Sequence, residues 1–238
     1  DAGHLDPLRS VAAEHGIIVV AGCIERPRDR GGHSVYCSIV HIDADGAIKP
    51  THRKLMPTYE ERLAWAPGDG HGLRTHSVGE FTVGALACWE NWMPLPRAAL
   101  YGQGEDLHIA LWPGSSRNSE DITRFLAKEG RSYVVSVSGL MRREDIPITL
   151  PHAETIIDNS EEVLADGGSC VAAPDGTWVL EPVDGEGLFA VELDHQRVRE
   201  ERQNFDASGH YARADVTHLV VDRTRQAAVH FTADENAD

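Results

Sequence analysis

The stretch FTVGALACWENWMP, residues 81–94, decides the fold, because a strand ends inside it and a helix begins at its close. Phe81, Val83, Ala85 and Ala87 fill one face of that strand and Thr82, Gly84, Leu86 and Cys88 the other, so the strand is central in its sheet. The next helix starts close to Pro94, which leaves Cys88 at a strand-to-helix turn. Unsatisfied N–H groups and the positive end of a helix favour thiolate at such a turn, the setting a nucleophile needs. A free cysteine is also among the most often buried residue types, and position alone favours packing. Both readings stand at this point.

Outward from the strand, the chain alternates short apolar runs with helical ones. Upstream, GIIVVAGCIER (16–26) and SVYCSIVHID (34–43) read as two strands joined by the turn-rich PRDRGG. Downstream, DLHIALWP (106–113) and SYVVSVSGL (132–140) are strands, and LPRAALYGQG (95–104) and SEDITRFLAKEG (119–130) have helical spacing ending in glycine. The middle of the chain is thus a β-α-β-α-β succession. GGSCVAAPDGTWVLEP (167–182) reads as a hairpin about Asp-Gly, GLFAVELD (187–194) as a further strand and HQRVREERQ (195–203) as a charged helix. Strands apolar on both faces, interleaved with helices, imply an α/β fold of stacked sheets covered by helices. The expected organisation is one domain over 1–221 and an acidic C-terminal tail over 222–238, frayed at TADENAD.

Charge narrows the function. Lys plus Arg number 22 against 38 for Asp plus Glu, and the formal charge of -16 repels phosphate backbones and anionic lipid, so neither nucleic acid nor membrane is expected as a partner. No apolar run approaches the ~20 residues that cross a bilayer, and a cytoplasmic protein is expected. The four cysteines, at 23, 37, 88 and 170, form no CxxC pair, and Cys23, Cys37 and Cys170 read as core residues. Of the 13 histidines none falls in an HExxH pattern, so no metal is assigned and no cofactor is expected.

The stretch THRKLMPTYEERLAWAPGDG, residues 51–70, reads alone as a solvated basic patch, His52-Arg53-Lys54, and a solvated helical start, Glu60-Glu61-Arg62. Together, however, HRKLMPT, EER and GDG, with CWEN and MP following 34 positions after the lysine (88 − 54), resemble the nitrilase branch of the carbon-nitrogen hydrolase superfamily. The similarity is strongest over 52–111 and continues through AKEGRSYVVS, GGSCVAAPDG and GHYARADV.

The resemblance implies a four-layer α-β-β-α sandwich and a Glu-Lys-Cys catalytic group, in a homo-oligomer that acts on a small-molecule nitrile. Carried over by position, Cys88 matches the nucleophile, Lys54 the catalytic lysine and Glu61 the second, accessory carboxylate. The implied reaction hydrolyses a nitrile to the carboxylic acid and ammonia through a thioimidate and then an acyl thioester. Trp89, Glu90, Asn91 and Trp112 are candidates for the substrate pocket. Amide hydrolysis or cyanide hydration is the alternative chemistry on the same residues, and a truncated, non-catalytic subunit the alternative role.

The chain departs from the nitrilase pattern in several places. WAPGDG replaces the common WGQGDG, which brings Ala66 and Pro67 into a loop near the site; Phe125 stands where histidine is frequent; and Trp112-Pro113-Gly114 replaces a short polar APT. The primary catalytic glutamate of the superfamily lies in a P-E-x-F context upstream, and none of Asp1, Asp6, Glu14, Glu25, Asp29, Asp43 and Asp45 has that setting. The N-terminal strand is therefore expected to be missing and the 238 residues alone to be catalytically incomplete.

Overall fold

The computed structural model describes residues 2–28, 32–227 and 229. They divide into two compact units, one running to Gly72 and resumed from Val221, the other Leu73–Val220. The centre of the PRDRGG turn (29–31) and the acidic TADENAD end lie outside the described residues.

The first unit opens with helix α1 (Asp6–His15), an element beyond those expected from the sequence. Its signals are a proline in the first turn and Gly16 at the end, where φ is +62° and the cap N–H reaches Ala12 O. Strands β1 (Val19–Glu25) and β2 (Tyr36–Ile42) pair antiparallel from Val19 opposite Ile42 to Glu25 opposite Tyr36, the expected strand pair. β3 (His52–Arg53) adds to the other side of β2 with Ser38 opposite Arg53. Glu25, Ser38 and Arg53 consequently meet across three strands: Arg53 makes a two-point pair with Glu25 at 2.7 and 2.9 Å, and Ser38 Oγ donates to Glu25 at 2.8 Å.

Cys23 and Cys37 are only half-buried, which corrects the expectation of core cysteines at both positions. β1 is an edge strand of this sheet and Ile24, opposite Cys37 in the register, is 68% exposed. Cys170 is a core residue as expected, with no exposed surface.

The second unit is a seven-stranded mixed sheet with the strand order 10-9-7-6-5-4, in which an eighth strand also pairs with the ninth. β4 (His76–Val78) precedes the decisive strand β5 (Phe81–Ala87), which lies inside the sheet, antiparallel to β4 and parallel to β6 (Leu107–Trp112). Helix α2 (Pro94–Tyr101) joins β5 to β6, and helix α3 (Ser116–Gly130), which starts three residues before the expected Ser119, joins β6 to the parallel β7 (Tyr133–Ser138). β8 (Leu140–Arg142), the short helix α4 (Ala153–Asp158) and β9 (Val163–Ala172) follow, and β9 forms the expected hairpin with β10 (Trp178–Asp184) around Asp175-Gly176. Gly176 has φ +81°, the conformation for which glycine is suited there.

Residues 187–194 form no strand, contrary to expectation. β10 ends at Asp184, and Gly185 turns the chain with φ +88°, so the apolar run docks by side chains and not by a ladder. Leu193 packs on the cluster of Val83, Leu107, Tyr133, Ala173 and Val198, while Leu188 is 99% exposed. The charged helix forms as α5 (His195–Asn204); Asp194 caps it by accepting from Gln196 N at 2.9 Å, and Val198 faces the sheet.

The strand period of two divides the core. Ala110, Trp112, Val134 and Ala172 point to α3 and pack with Ile122, Leu126 and Ala127, whereas Val83, Leu107, Tyr133 and Ala173 point to the α5 side. Cys88 belongs to the α3-facing cluster.

Candidate active site

Cys88 is the first residue after β5 and opens a 3₁₀ turn, Cys88–Trp92. Its φ is +56°, a left-handed conformation that is uncommon outside glycine, costs on the order of 1–3 kcal/mol and persists only where the surroundings impose it. Here they do. Glu90 accepts the Ala87 N–H at 3.0 Å, and the Asn91 amide donates to Cys88 O at 2.9 Å and to Leu86 O at 3.3 Å. Arg97, from α2, donates to Asn91 O at 3.0 Å.

Two polar networks support this turn, one partly and one fully buried, and neither was anticipated from the sequence. In one, Glu129 of α3 holds Arg97 by a two-point pair at 2.7 and 3.1 Å and accepts from Tyr101 Oη at 2.9 Å. Burial, then the Glu129 and Glu105 carboxylates, push the Tyr101 phenol well above its ordinary range, which keeps it a donor. Burial pulls the Arg97 guanidinium down, but the hydrogen bond and charge of Glu129 outweigh it and hold its pKa above the usual value. Phe125 lies beneath Arg97, with the guanidinium carbon 5.6 Å from the ring centroid. In the other network His108 Nε2 lies 2.8 Å from Asn91 Oδ1 and His108 Nδ1 2.8 Å from Glu105 Oε1. The available signal was a histidine inside an otherwise apolar run, His108 in LHIALW; Glu105 and Glu129 stand among other charged residues and carry none.

The four residues expected around the pocket separate into two kinds. Glu90 and Asn91 are 1% and 0% exposed and hold the turn, as just described. Trp112 packs in the same apolar cluster as Cys88, and its Nε1 lies 3.3 Å from Ser136 Oγ. Trp89 is instead 52% exposed, in a tilted pair with the half-exposed Trp92 at 6.4 Å between ring centroids.

Lys54 and Glu61 belong to the first unit and are brought together there. Lys54 follows β3, donates its backbone N–H to Cys37 O and accepts from Gly68 N, both at 2.8 Å. Its ammonium, 1% exposed, donates to Glu61 Oε2 at 2.6 Å and to Thr58 Oγ1 at 3.2 Å. Glu61 sits in the 3₁₀ turn Tyr59–Leu63 and also accepts the Thr58 N–H at 2.6 Å, so one carboxylate oxygen caps the turn and anchors the lysine. The basic patch of the sequence is thus a buried, paired one: His52, Arg53 and Lys54 are all under 5% exposed.

The WAPGDG loop lies flat against this segment. A side chain on Gly68 would place Cβ 2.1 Å from Arg53 O, and Ala66 N donates to Val35 O at 2.9 Å. Residues 222–226 close over it, with Arg225 on Asp69 at 3.0 Å and Gln226 N on the other Asp69 oxygen at 3.0 Å. Among the described residues no cluster of three His, Cys, Asp or Glu is arranged to hold a metal ion.

Within the second unit Cys88 stands on a strand-to-helix turn, and within the first the buried Lys54 ammonium is paired with Glu61, in a chain of mixed α/β architecture. Residues 1–203 match the carbon-nitrogen hydrolase family, to which this chain belongs. An aliphatic nitrilase of Sinorhizobium fredii is 37% identical over 225 residues, covering 94% of this chain and 71% of that protein. A bifunctional nitrilase/nitrile hydratase of Lupinus angustifolius is 33% identical over 236 residues, covering 96% of this chain and 65% of that protein. The chain therefore spans about two-thirds of the length of these relatives. Among solved structures, a carbon-nitrogen hydrolase of Helicobacter pylori superposes with a TM-score of 0.69 at 20% identity over 87% of this chain and 72% of its own, and an amidase of Nesterenkonia with a TM-score of 0.63 at 20% identity over 84% and 69%. The fold is theirs.

Proposed function

We propose that the protein is a nitrilase, hydrolysing an organic nitrile to the carboxylic acid and ammonia with Cys88 as nucleophile. The observation that carries the reading is the enforced left-handed turn at Cys88, in a chain whose relatives at 33–37% identity bear nitrilase names.

The chemistry follows from the residue types. The Cys88 sulfur adds to the nitrile carbon, a C–S bond forms as one C–N π bond opens, and the nitrogen takes the thiol proton to give a thioimidate. Water adds to that carbon, and the nitrogen, protonated further, leaves as ammonia with an acyl thioester behind it. A second water displaces the thiol and frees the acid. Charge develops on the nitrogen in the first step, and an ammonium is suited to stabilise it. Lys54 has three N–H donors, of which Glu61 and Thr58 take two among the described residues, so one remains for the reacting nitrogen. Glu61 fixes the direction of that third donor.

A second outcome has support from the relatives named nitrilase/nitrile hydratase. If the tetrahedral adduct expels sulfur before nitrogen, amide is released in place of acid. Trp89, exposed beside the turn, is the proposed pocket residue; Glu90, Asn91 and Trp112 are proposed to hold the turn that the pocket adjoins.

The test is ammonia, acid and amide release by the purified protein from aliphatic and aromatic nitriles and from the matching amides, with mass spectrometry of the trapped adduct. Faster release from nitriles, and an adduct that vanishes in Cys88→Ala, are expected. Preference for amides would move the protein to the amidase reading, and no turnover with any substrate would return it to a truncated, catalytically incomplete subunit, the alternative role.

A further inference from the structure

The mechanism above makes no use of Glu105 and His108, yet both are buried charged or titratable groups, at 0% and 2% exposure, in line with the nucleophile turn. Their order in space is Glu105, His108, Asn91 and the carbonyl of Cys88, with successive contacts of 2.8, 2.8 and 2.9 Å. The strand beside them is built to admit this line: a side chain at Gly84 of β5 would put its Cβ 1.9 Å from Glu105 Oε1.

The hydrogen-bond roles are determined from one end. Asn91 Nδ2 faces two backbone carbonyls, which only accept, so its amide must donate there and its oxygen must face His108. That oxygen only accepts, so His108 Nε2 carries a hydrogen. His108 Nδ1 then meets Glu105 Oε1, and a proton must lie between these two acceptors for a 2.8 Å contact to hold. The imidazole is thereby locked in one orientation, and through it the amide of Asn91.

Flipping that amide would turn an oxygen toward the carbonyls of Leu86 and Cys88 and remove the bonds that keep Cys88 at φ +56°. We propose that Glu105 and His108 are positioning residues for Cys88, acting through the Asn91 amide to hold the thiol in its attacking orientation. The proposal rests on Cys88 being the nucleophile.

The experiment separates the donor from mere packing. In the purified protein, the rate at which iodoacetamide alkylates Cys88 is followed by peptide mass spectrometry, beside kcat and KM for a nitrile and thermal unfolding. His108→Leu, which fills the space without donating, is expected to slow Cys88 alkylation and kcat by about 10–100-fold with KM changed less than about threefold. His108→Gln, which restores a donor toward Asn91, is expected to recover most of both.

A folded His108→Leu protein that alkylates and turns over within twofold of the parent overturns the proposal, as does His108→Gln being as impaired as His108→Leu. Nitrogen-detected NMR of the unaltered protein keeps the proposal testable if the leucine variant fails to fold: Nε2 of His108 is expected to bear the hydrogen, and a bare Nε2 overturns it. Alkylation effects as expected without nitrile turnover in the parent would sustain the positioning and reject the nitrilase reading. A parent Cys88 inert to alkylation would reject both.

Discussion

A lysine with 1% of its surface exposed has lost its hydration, and its charge is kept by what replaces the water: here Glu61 and Thr58. Glu61 is 28% exposed, so it can rehydrate when the ammonium is removed. Lys54→Met is therefore expected to fold and bind substrate, with kcat lowered by ~2.7–4 kcal/mol of lost charge stabilisation, about 10²–10³-fold. Steady-state kinetics check it; turnover within a few-fold of the parent would leave the lysine a purely structural ion-pair partner. Glu25 makes a different prediction. Burial raises its pKa, but the hydrogen bonds from Arg53 and Ser38 and the charges of Arg53 and Arg225 outweigh that and set it below the ordinary carboxylate value. A carboxylate depressed in the folded state adds stability that is complete above its unfolded pKa and is lost as pH falls through its folded one. Arg53 is 3% exposed, and Glu25→Gln, which removes the carboxylate charge from its two-point pair, is expected to cost about 3 kcal/mol at neutral pH. Urea unfolding should show that deficit shrink as pH falls below the ordinary carboxylate range and through the depressed folded-state pKa of Glu25, where the parent loses the same charge; a deficit independent of pH would assign it to packing against Tyr36, over whose ring Arg53 sits at 4.4 Å.

At the scale of elements, the turn after β5 is a strained conformation held by bonds from α2, α3 and β6, so the strand, the helices and the nucleophile candidate form one mechanical unit. α5 covers the opposite face of the same sheet. Its cap is one side chain, Asp194, and its packing one buried residue, Val198, with His195 on Asp106 at 2.8 Å and Arg202 donating to the carbonyl of Glu105. Asp194→Ala is expected to cost about 1 kcal/mol, lowering Tm by roughly 2–4 °C with kcat unchanged. Calorimetry and kinetics on the same preparation read both; a loss of kcat would show that the helix reaches the turn through Arg202. The 187–194 run shows where pattern reading stops. Its alternation suits a strand, but β10 turns away at Gly185 and a ladder needs a backbone alongside.

For the molecule as a whole the governing quantity is a formal charge of -16 on 238 residues. Self-repulsion of that size opposes the compact state and is screened as the Debye length falls from ~30 Å at 0.01 M salt to ~8 Å at 0.15 M. Tm is expected to rise by a few degrees over that range of sodium chloride, measured by calorimetry; a fall would mean that the ion pairs, Arg53 with Glu25 and Arg97 with Glu129 foremost, outweigh the repulsion. The chain enters the second unit after Gly72 and returns to the first at Val221: Arg225 and Gln226 supply partners to Asp69 and Gly68 in the loop that follows Lys54, and the carbonyl of Asp222 lies so close to Gly70 that no side chain fits there.

By itself the sequence determined the β-α-β-α-β middle, the hairpins, the strand end that presents Cys88, and the motif carrying Lys54 and Glu61, because periodicity and short motifs depend on residues close along the chain. Only the tertiary structure decided that Glu90 and Asn91 face the backbone of the turn, that His108 and Glu105 stand behind Asn91, and that the basic His52-Arg53-Lys54 run is buried. The reason is that a polar side chain's role is set by the partner available where it is desolvated, and those partners come from residues as far apart in sequence as Glu25 and Arg53 or Arg97 and Glu129.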